Sequence, residues 1–262
     1  MLELKELTVG YRRKGAETSV IGGVNLTLEK GALLMLLGAN GCGKTTLFRT
    51  ILGFQKPLAG RVFIDGAPVG GIARATLSRL VSYVPQEHAP PFPYTVMQMV
   101  LMGRGAYVPM FSQPGAEDEA LSAQALEQVG ALHLAERIYT EISGGERRLV
   151  LIARALVQQT DYIFMDEPAA NLDYGNRIRL LAQVKALAAR GKAVFLTTHN
   201  PEDAVFCDCE AAVILPDKRI VKGGAREILT AELISQAYGL NEALPTPPPL
   251  TAINGFPPKG FI

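Results

Sequence analysis

The chain has 262 residues, and 26 lysines and arginines against 25 aspartates and glutamates leave a formal charge of +1. That balance supplies no global field toward nucleic acid or an anionic membrane surface, which argues against a DNA-binding role, and no uninterrupted apolar run reaches the roughly 18 residues of a membrane-spanning helix. Three cysteines, Cys42, Cys207 and Cys209, make neither a disulfide framework nor a four-ligand zinc site, so reduced thiols are expected.

From the N-terminus, "MLELKELTVGY" alternates apolar and polar positions and lacks a basic region followed by an apolar one. It reads as a strand of an antiparallel sheet edge and not as a secretory signal, and the chain is expected to stay in the cytoplasm. Leu26 and Leu28 continue the strand pattern before the turn "EKG". The runs "ALLMLLG", "LVSYVPQ", "YIFMDEP" and "AVFLTTH" are apolar nearly throughout, as strands covered on both faces are. Helical patterns alternate with them, which predicts an α/β fold with a mixed, largely parallel sheet and right-handed crossovers. Between about residues 95 and 159, "TVMQMVLMGR", "EDEALSAQALEQVGA" and "ERRLVLIARALVQQ" are three helical patterns with no strand between them, so an inserted all-helical subdomain is placed there. "AAVILPDKRIVKGG" reads as a hairpin turning at Pro216-Asp217, and "AREILTAELISQAYGL" as one or two closing helices. Residues 241–262 form a proline-rich tail, expected to be extended.

"GANGCGKTT", Gly38 to Thr46, follows an apolar strand and opens the helical pattern "KTTLFRTILG", the setting that G-x4-G-K-[ST] requires. Gly38, Gly41 and Gly43 free a loop whose amides can curl around phosphate oxygens. The helix N-terminus adds its positive end, Lys44 meets the outer phosphates, and the Thr45 hydroxyl can ligate Mg²⁺. The close approach of a phosphate is the expected reason for the glycines, and the run including Asn40, Cys42 and Thr46 is assigned to the nucleotide.

Three more apolar strands turn polar at their carboxyl ends, where ligands of open α/β sheets sit: at Gln86, at Asp166 with Glu167, and at His199. Two adjacent carboxylates in a partly buried cleft call for a compensating metal or reacting proton. Because neighbouring strand residues point in different directions, Asp166 is expected to support Mg²⁺ while Glu167 polarises the attacking water. His199, before the helix start "NPEDA", can reach a γ-phosphate. In "ISGGE", Ser143 and Glu146 form a capping box. Capping does not account for Gly144 and Gly145, which suit a second anion site at a helix N-terminus.

Together these residues resemble the ATP-binding subunit of an ABC transporter, with the family's motifs in order over roughly residues 1 to 240. On that resemblance Tyr11 stands where an aromatic stacks on adenine, "GANGCGKTT" is the phosphate loop, and Gln86 is the Q-loop glutamine, a Mg²⁺ and water partner. "ISGGE" is the signature, "YIFMDE" the second nucleotide motif, Asp173 of "NLD" the D-loop aspartate, and His199 the switch histidine. The resemblance implies a P-loop NTPase core with an N-terminal antiparallel β subdomain. It implies ATP with Mg²⁺, and a head-to-tail dimer in which Ser143, Gly144, Gly145 and Glu146 of one copy meet the ATP of the other.

It also implies two transmembrane permease subunits, docked through a groove lined by "HAPPFPYTVMQMVLMGR", a periplasmic binding protein reached indirectly, no nucleic acid, and a place on the cytoplasmic face of the membrane. Ile142 and Glu146 replace the commoner leucine and glutamine of the signature, and "AANLD" lacks the usual hydroxyl residue. "FPYTVMQMVLMGR" and the compact chain are most similar to ATPases of metal-chelate importers: iron-siderophore, haem, cobalamin and, in some members, molybdate. A cluster-assembly ATPase and an exporter ATPase share the nucleotide motifs and remain open alternatives.

Overall fold

In β1 (Leu2–Arg13), Leu2, Leu4, Leu7 and Val9 are all buried. The step from 4 to 7 breaks the two-residue period that keeps one face inward. A bulge resolves the conflict: pairing with the antiparallel β2 (Ala16–Leu28) shifts register between Leu4 and Leu7, and Glu6 stands there at φ 47°. One extra residue in a paired strand lets both flanking stretches face the core. The computed structural model describes residues 1–13, 16–86, 88, 90–109, 112–170 and 172–240; the proline-rich tail expected over 241–262 lies outside them.

Along the chain follow β3 (Leu33–Leu37), α1 (Lys44–Ile51), β4 (Ala59–Ile64) and β5 (Ala67–Pro68). Next are α2 (Arg74–Leu80), β6 (Val81–Val84), α3 (Val96–Leu101), α4 (Ala116–Gln128), α5 (Gly144–Leu156), β7 (Tyr162–Asp166) and α6 (Tyr174–Ala189). The chain then forms β8 (Ala193–Thr198), α7 (Pro201–Cys207), β9 (Glu210–Ile214), β10 (Ile220–Gly224), α8 (Ala225–Ile228) and α9 (Ala231–Tyr238). Contacts sort these elements into two units: Met1–Gly71 with the chain from Val184 onward, and Ile72–Gln183.

The first unit holds two sheets. β4 pairs with β1 on the side away from β2, matching Leu2 to Ile64 and Leu4 to Val62, so the antiparallel sheet runs β2-β1-β4-β5. In the other, all five residues of β3 are buried, with β8 parallel on one side and β9 parallel on the other. Its continuous apolar run is what a strand with partners on both edges and cover on both faces demands. The expected hairpin is present: Ile214 pairs with Ile220, and Leu215 N donates to Arg219 O at 2.9 Å across the turn. Helix α1 turns Leu47, Phe48 and Ile51 inward, and the Phe48 ring meets Phe195 of β8 edge-on with centroids 4.9 Å apart. Burying such a ring contributes about 1.5–3 kcal/mol and its edge contact about 1 kcal/mol more.

In the second unit β6 and β7 are parallel, Val81 opposite Tyr162 and Val84 opposite Met165. Helix α3 opens on a capping box: Thr95 Oγ1 accepts from Gln98 N at 3.2 Å, and Gln98 Oε1 from Thr95 N at 2.9 Å. The helical reading of "TVMQMVLMGR" holds only to Leu101. The backbone then tightens into a 3-10 turn, Met102–Ala106, in which Gly103 packs so closely on α5 that a Cβ there would stand 2.4 Å from the Arg154 carbonyl oxygen. The turn aims the buried Arg104 at Asp118 of α4, 2.7 Å away, and at the Val157 carbonyl, 3.1 Å away.

Candidate functional site

The loop from Gly38 to Thr46 joins β3 to α1 in the first unit. Two of its glycines also meet packing constraints that the sequence does not disclose. A Cβ on Gly38 would lie 2.7 Å from Cys42 Sγ, and one on Gly43 would lie 2.4 Å from a Val20 methyl. The chain's own packing thus disfavours a side chain at these two positions, in addition to the expected approach of a phosphate. Gly41 differs: its φ of 79° favours glycine, yet among the described residues nothing stands within 4 Å of its Cβ position. Helix α1 begins at Gly43 with no side-chain cap, which leaves its positive end facing the loop. Lys44 is buried, and its Nζ donates to the carbonyls of Gly38 at 2.9 Å and Ala39 at 3.3 Å. Asn40, Gly41 and Thr45 are exposed. The Tyr11 hydroxyl shares a 2.8 Å hydrogen bond with Thr46 Oγ1, while its residue remains 46% exposed.

His199 is exposed just past the end of β8, and its backbone is held from both sides. Thr198 Oγ1 donates to Asp203 Oδ2 at 2.6 Å and accepts from Asn200 N at 3.1 Å. Asn200 in turn caps α7 by accepting from Glu202 N at 3.0 Å. The Tyr238 hydroxyl of α9 donates to the His199 carbonyl at 2.9 Å.

In the second unit Asp166 ends β7, and only 1% of it is exposed. Tyr83 of β6 turns its hydroxyl to Asp166 Oδ2 at 3.5 Å. The alternation argument for the two carboxylates needs correction: the strand stops at Asp166, and Glu167 stands at φ 46°. Their divergence arises from this left-handed kink, a conformation costly for a residue with a Cβ and concentrated at functional sites. Gln86 Nε2 donates to Glu167 Oε2 at 3.4 Å.

The capping box of α5 is present in full. Ser143 Oγ accepts from Glu146 N at 3.3 Å, and Glu146 Oε2 accepts from Ser143 N at 2.7 Å. The hydrogen bonds with Ser143 hold the Glu146 carboxyl below its ordinary value. Among the described residues nothing lies within 4 Å of a Cβ position at Gly144, and at Gly145 only a Leu172 methyl does, at an ordinary 3.4 Å. The chain itself thus asks for neither glycine. Asp173 accepts from Asn176 N at 2.9 Å and Nδ2 at 2.6 Å, which lowers its carboxyl; Asn171 of "NLD" lies outside the described residues.

Within each unit, then, expected site residues meet in pairs: Tyr11 with Thr46, Gln86 with Glu167, Ser143 with Glu146. Sequence reasoning missed Tyr83, Arg148, Asp203 and Tyr238. Asp203 lies in the helix-start pattern "NPED" and was open to detection; the other three reach site residues, Arg148 the carbonyl of Gln86, only because the fold brings distant positions together.

The profile of the ABC transporter family matches residues 21–170. The chain belongs to the ABC transporter family. An uncharacterised ABC transporter ATP-binding protein of Haemophilus influenzae is 37% identical over 91% of this chain and 89% of its own. The hemin import ATP-binding protein HmuV of Bordetella pertussis is 36% identical over 91% of this chain and 92% of its own. The molybdate import ATP-binding protein MolC of Haemophilus influenzae is 34% identical over 86% of this chain and 84% of its own. A solved structure described as a metal-chelate type ABC transporter in an inward-facing conformation superposes with a TM-score of 0.79, at 32% identity over 90% of this chain and 88% of that one.

As an ABC protein the chain is an ATPase working on ATP with Mg²⁺, and its residues fit that ligand. The uncapped N-terminus of α1 and the open space over Gly41 suit phosphate oxygens. Among the described residues no three His, Cys, Asp or Glu side chains gather into a metal site, and Mg²⁺ is commonly held by one or two carboxylates together with the phosphates it accompanies. Among the described residues, too, no helix is long and apolar enough to cross a membrane.

Proposed function

We propose that this chain is the ATP-hydrolysing subunit of a membrane importer for a metal chelate or a related metal-containing substrate, attached to the cytoplasmic face of the membrane through two permease subunits. The observation that carries the reading is that relatives matching nearly the whole chain are named import ATP-binding proteins, HmuV for hemin and MolC for molybdate, and that CbrD of Dickeya dadantii, 33% identical over 90% of this chain, is named an achromobactin transport ATP-binding protein. A substrate-binding protein outside the membrane is the indirect partner, and the chain acts as a head-to-tail pair.

The site residues take separate parts. Tyr11 supports adenine, and the loop from Gly38 to Thr46, with Asn40, Gly41, Cys42 and Gly43, encloses the phosphates with Lys44 on the outer ones. Thr45, Asp166 and Gln86 hold Mg²⁺, whose charge offsets that of the phosphates when it is bound. Glu167 accepts a proton from the attacking water, and His199 holds that water in line with the γ-phosphate. Ser143, Gly144 and Gly145, with Glu146 fixing the helix end, address the ATP of the second copy, and Asp173 lies at that junction. Residues 1–240 form the ATP-binding domain, the helices over about 95–159 its inserted subdomain, and 241–262 an appended tail.

Glu167→Gln should keep ATP binding within about twofold while lowering the hydrolysis rate by about a hundredfold or more, the scale on which a positioned base contributes. Purified with ATP from its native membranes, that variant should bring polytopic membrane subunits and a binding protein. Normal hydrolysis would overturn the catalytic assignment, and recovery of only a soluble partner would overturn import.

A further inference from the structure

Arg148 lies in α5, just past the signature residues, and only 8% of it is exposed. Its guanidinium fork closes on two successive carbonyls: Nη1 donates to Pro85 O and Nη2 to Gln86 O, each at 2.7 Å. These peptides directly follow β6. Two charge-assisted bonds from one planar group fix direction as well as distance, and a lysine ammonium cannot reproduce the fork. Farther along the same helix Arg154 Nη1 stands 3.1 Å from His88 Nε2, and the His88 ring faces Tyr139 edge-on with centroids 6.2 Å apart. Helix α5 thus grips the segment around Gln86 at two points. The Gln86 side chain, pointing the other way, is exposed and donates to Glu167 Oε2.

We infer that Arg148 is a positioning residue that makes Gln86, and through it Glu167, follow helix α5, so that occupancy of Ser143, Gly144 and Gly145 is felt at the hydrolytic carboxylate of the same chain. The inference rests on the assignment of Gln86 and Glu167 to ATP hydrolysis. In a head-to-tail pair α5 faces the partner's nucleotide while Glu167 serves its own. Arg148 then joins one copy's view of the other's ATP to its own water-activating group. The bare structural alternative is that the arginine satisfies two carbonyls and nothing more. Gln86 is exposed, however, and water could satisfy its carbonyl equally well; what the fork adds is a fixed orientation of both peptides.

The test uses the full-length chain carrying Arg148→Lys, Gln86→Ala, and both together, with equilibrium ATP binding, steady-state phosphate release and the urea midpoint measured for each. Arg148→Lys should leave the ATP Kd within about twofold and lower kcat about tenfold, in keeping with the loss caused by small misplacement of a catalytic group. In the Gln86→Ala background the same substitution should change kcat by less than about twofold, because residues acting through one another are non-additive. Arg148→Met, with its fold checked by circular dichroism, serves as a second variant that removes the charge. A kcat for Arg148→Lys like that of the wild type, or penalties that multiply in the double variant, would overturn the link. If Glu167→Gln loses hydrolysis while Arg148→Lys does not, the link alone falls. If Glu167→Gln hydrolyses ATP normally, the carboxylate's assignment falls and the link with it.

Discussion

Glu146 stands where the commoner signature has glutamine, and its carboxylate closes the box on Ser143 N at 2.7 Å. Glutamine can accept the same bond. Glu146→Ala should therefore cost about 1 kcal/mol of stability and Glu146→Gln less than half of that, as urea midpoints would measure. The two differ in their response to acid. The folded carboxyl lies below its ordinary value because of its bonds with Ser143, so its contribution is complete above the ordinary glutamate value and is lost as pH falls through the lower folded one. The stability gap between wild type and Glu146→Gln should narrow over that acidic window, while Glu146→Gln and Glu146→Ala keep a constant spacing. ATPase rates like the wild type's in both variants would deny the carboxylate any special part in turnover.

The three thiols divide on the same residue-level grounds. Burial pushes the Cys207 thiol up to about 12 and raises that of Cys209 as well, which leaves little thiolate to react. Cys42 lies in the phosphate loop, half-buried against Gly38. A maleimide at neutral pH should label Cys42 first, saturating ATP should slow that labelling, and the labelled chain should fail to bind nucleotide. Peptide mass spectrometry reads the site, and undiminished ATP binding after complete labelling would reject the steric effect.

At the scale of elements, α9 reaches the residue just past β8 through the Tyr238 hydroxyl. Tyr238→Phe removes the donor to the His199 carbonyl and should cost about 1 kcal/mol of stability. With His199 less firmly aimed, kcat should fall severalfold and the ATP Kd should not, as phosphate release and nucleotide titration would reveal. Strands and helix starts were legible in the sequence because each depends on local pattern: apolar runs in β3, β7 and β8, Ser143 as a cap, the hairpin at Pro216. What was not legible depends on distant neighbours. The close packing of Gly103 on α5 depends on such neighbours, as do the tight surroundings of Gly38 and Gly43 beside Cys42, Ile214 and Val20. The kink at Glu167 has no signal in "MDEP", and the Arg148 fork joins residues more than sixty positions apart.

For the whole molecule, the candidate site residues were readable because their chemistry lies in short, ordered motifs, whereas the residues that orient them lie elsewhere in the chain. The division into two units follows the same logic. The first is made from both ends of the sequence, and the second is the stretch between them. Strand β3 shows what that arrangement demands during synthesis. Among the described residues Leu33–Leu37 has its strand partners in β8 and β9, far downstream. At ordinary translation speeds it leaves the ribosome on the order of ten seconds before either of them exists. For that interval "LLMLL" is an apolar, edge-exposed segment with β-forming neighbours, and the nascent chain must be kept from pairing it with strands of other molecules. The strand that leads into the loop from Gly38 to Thr46 is therefore also one that waits long for its partners while the protein is being made.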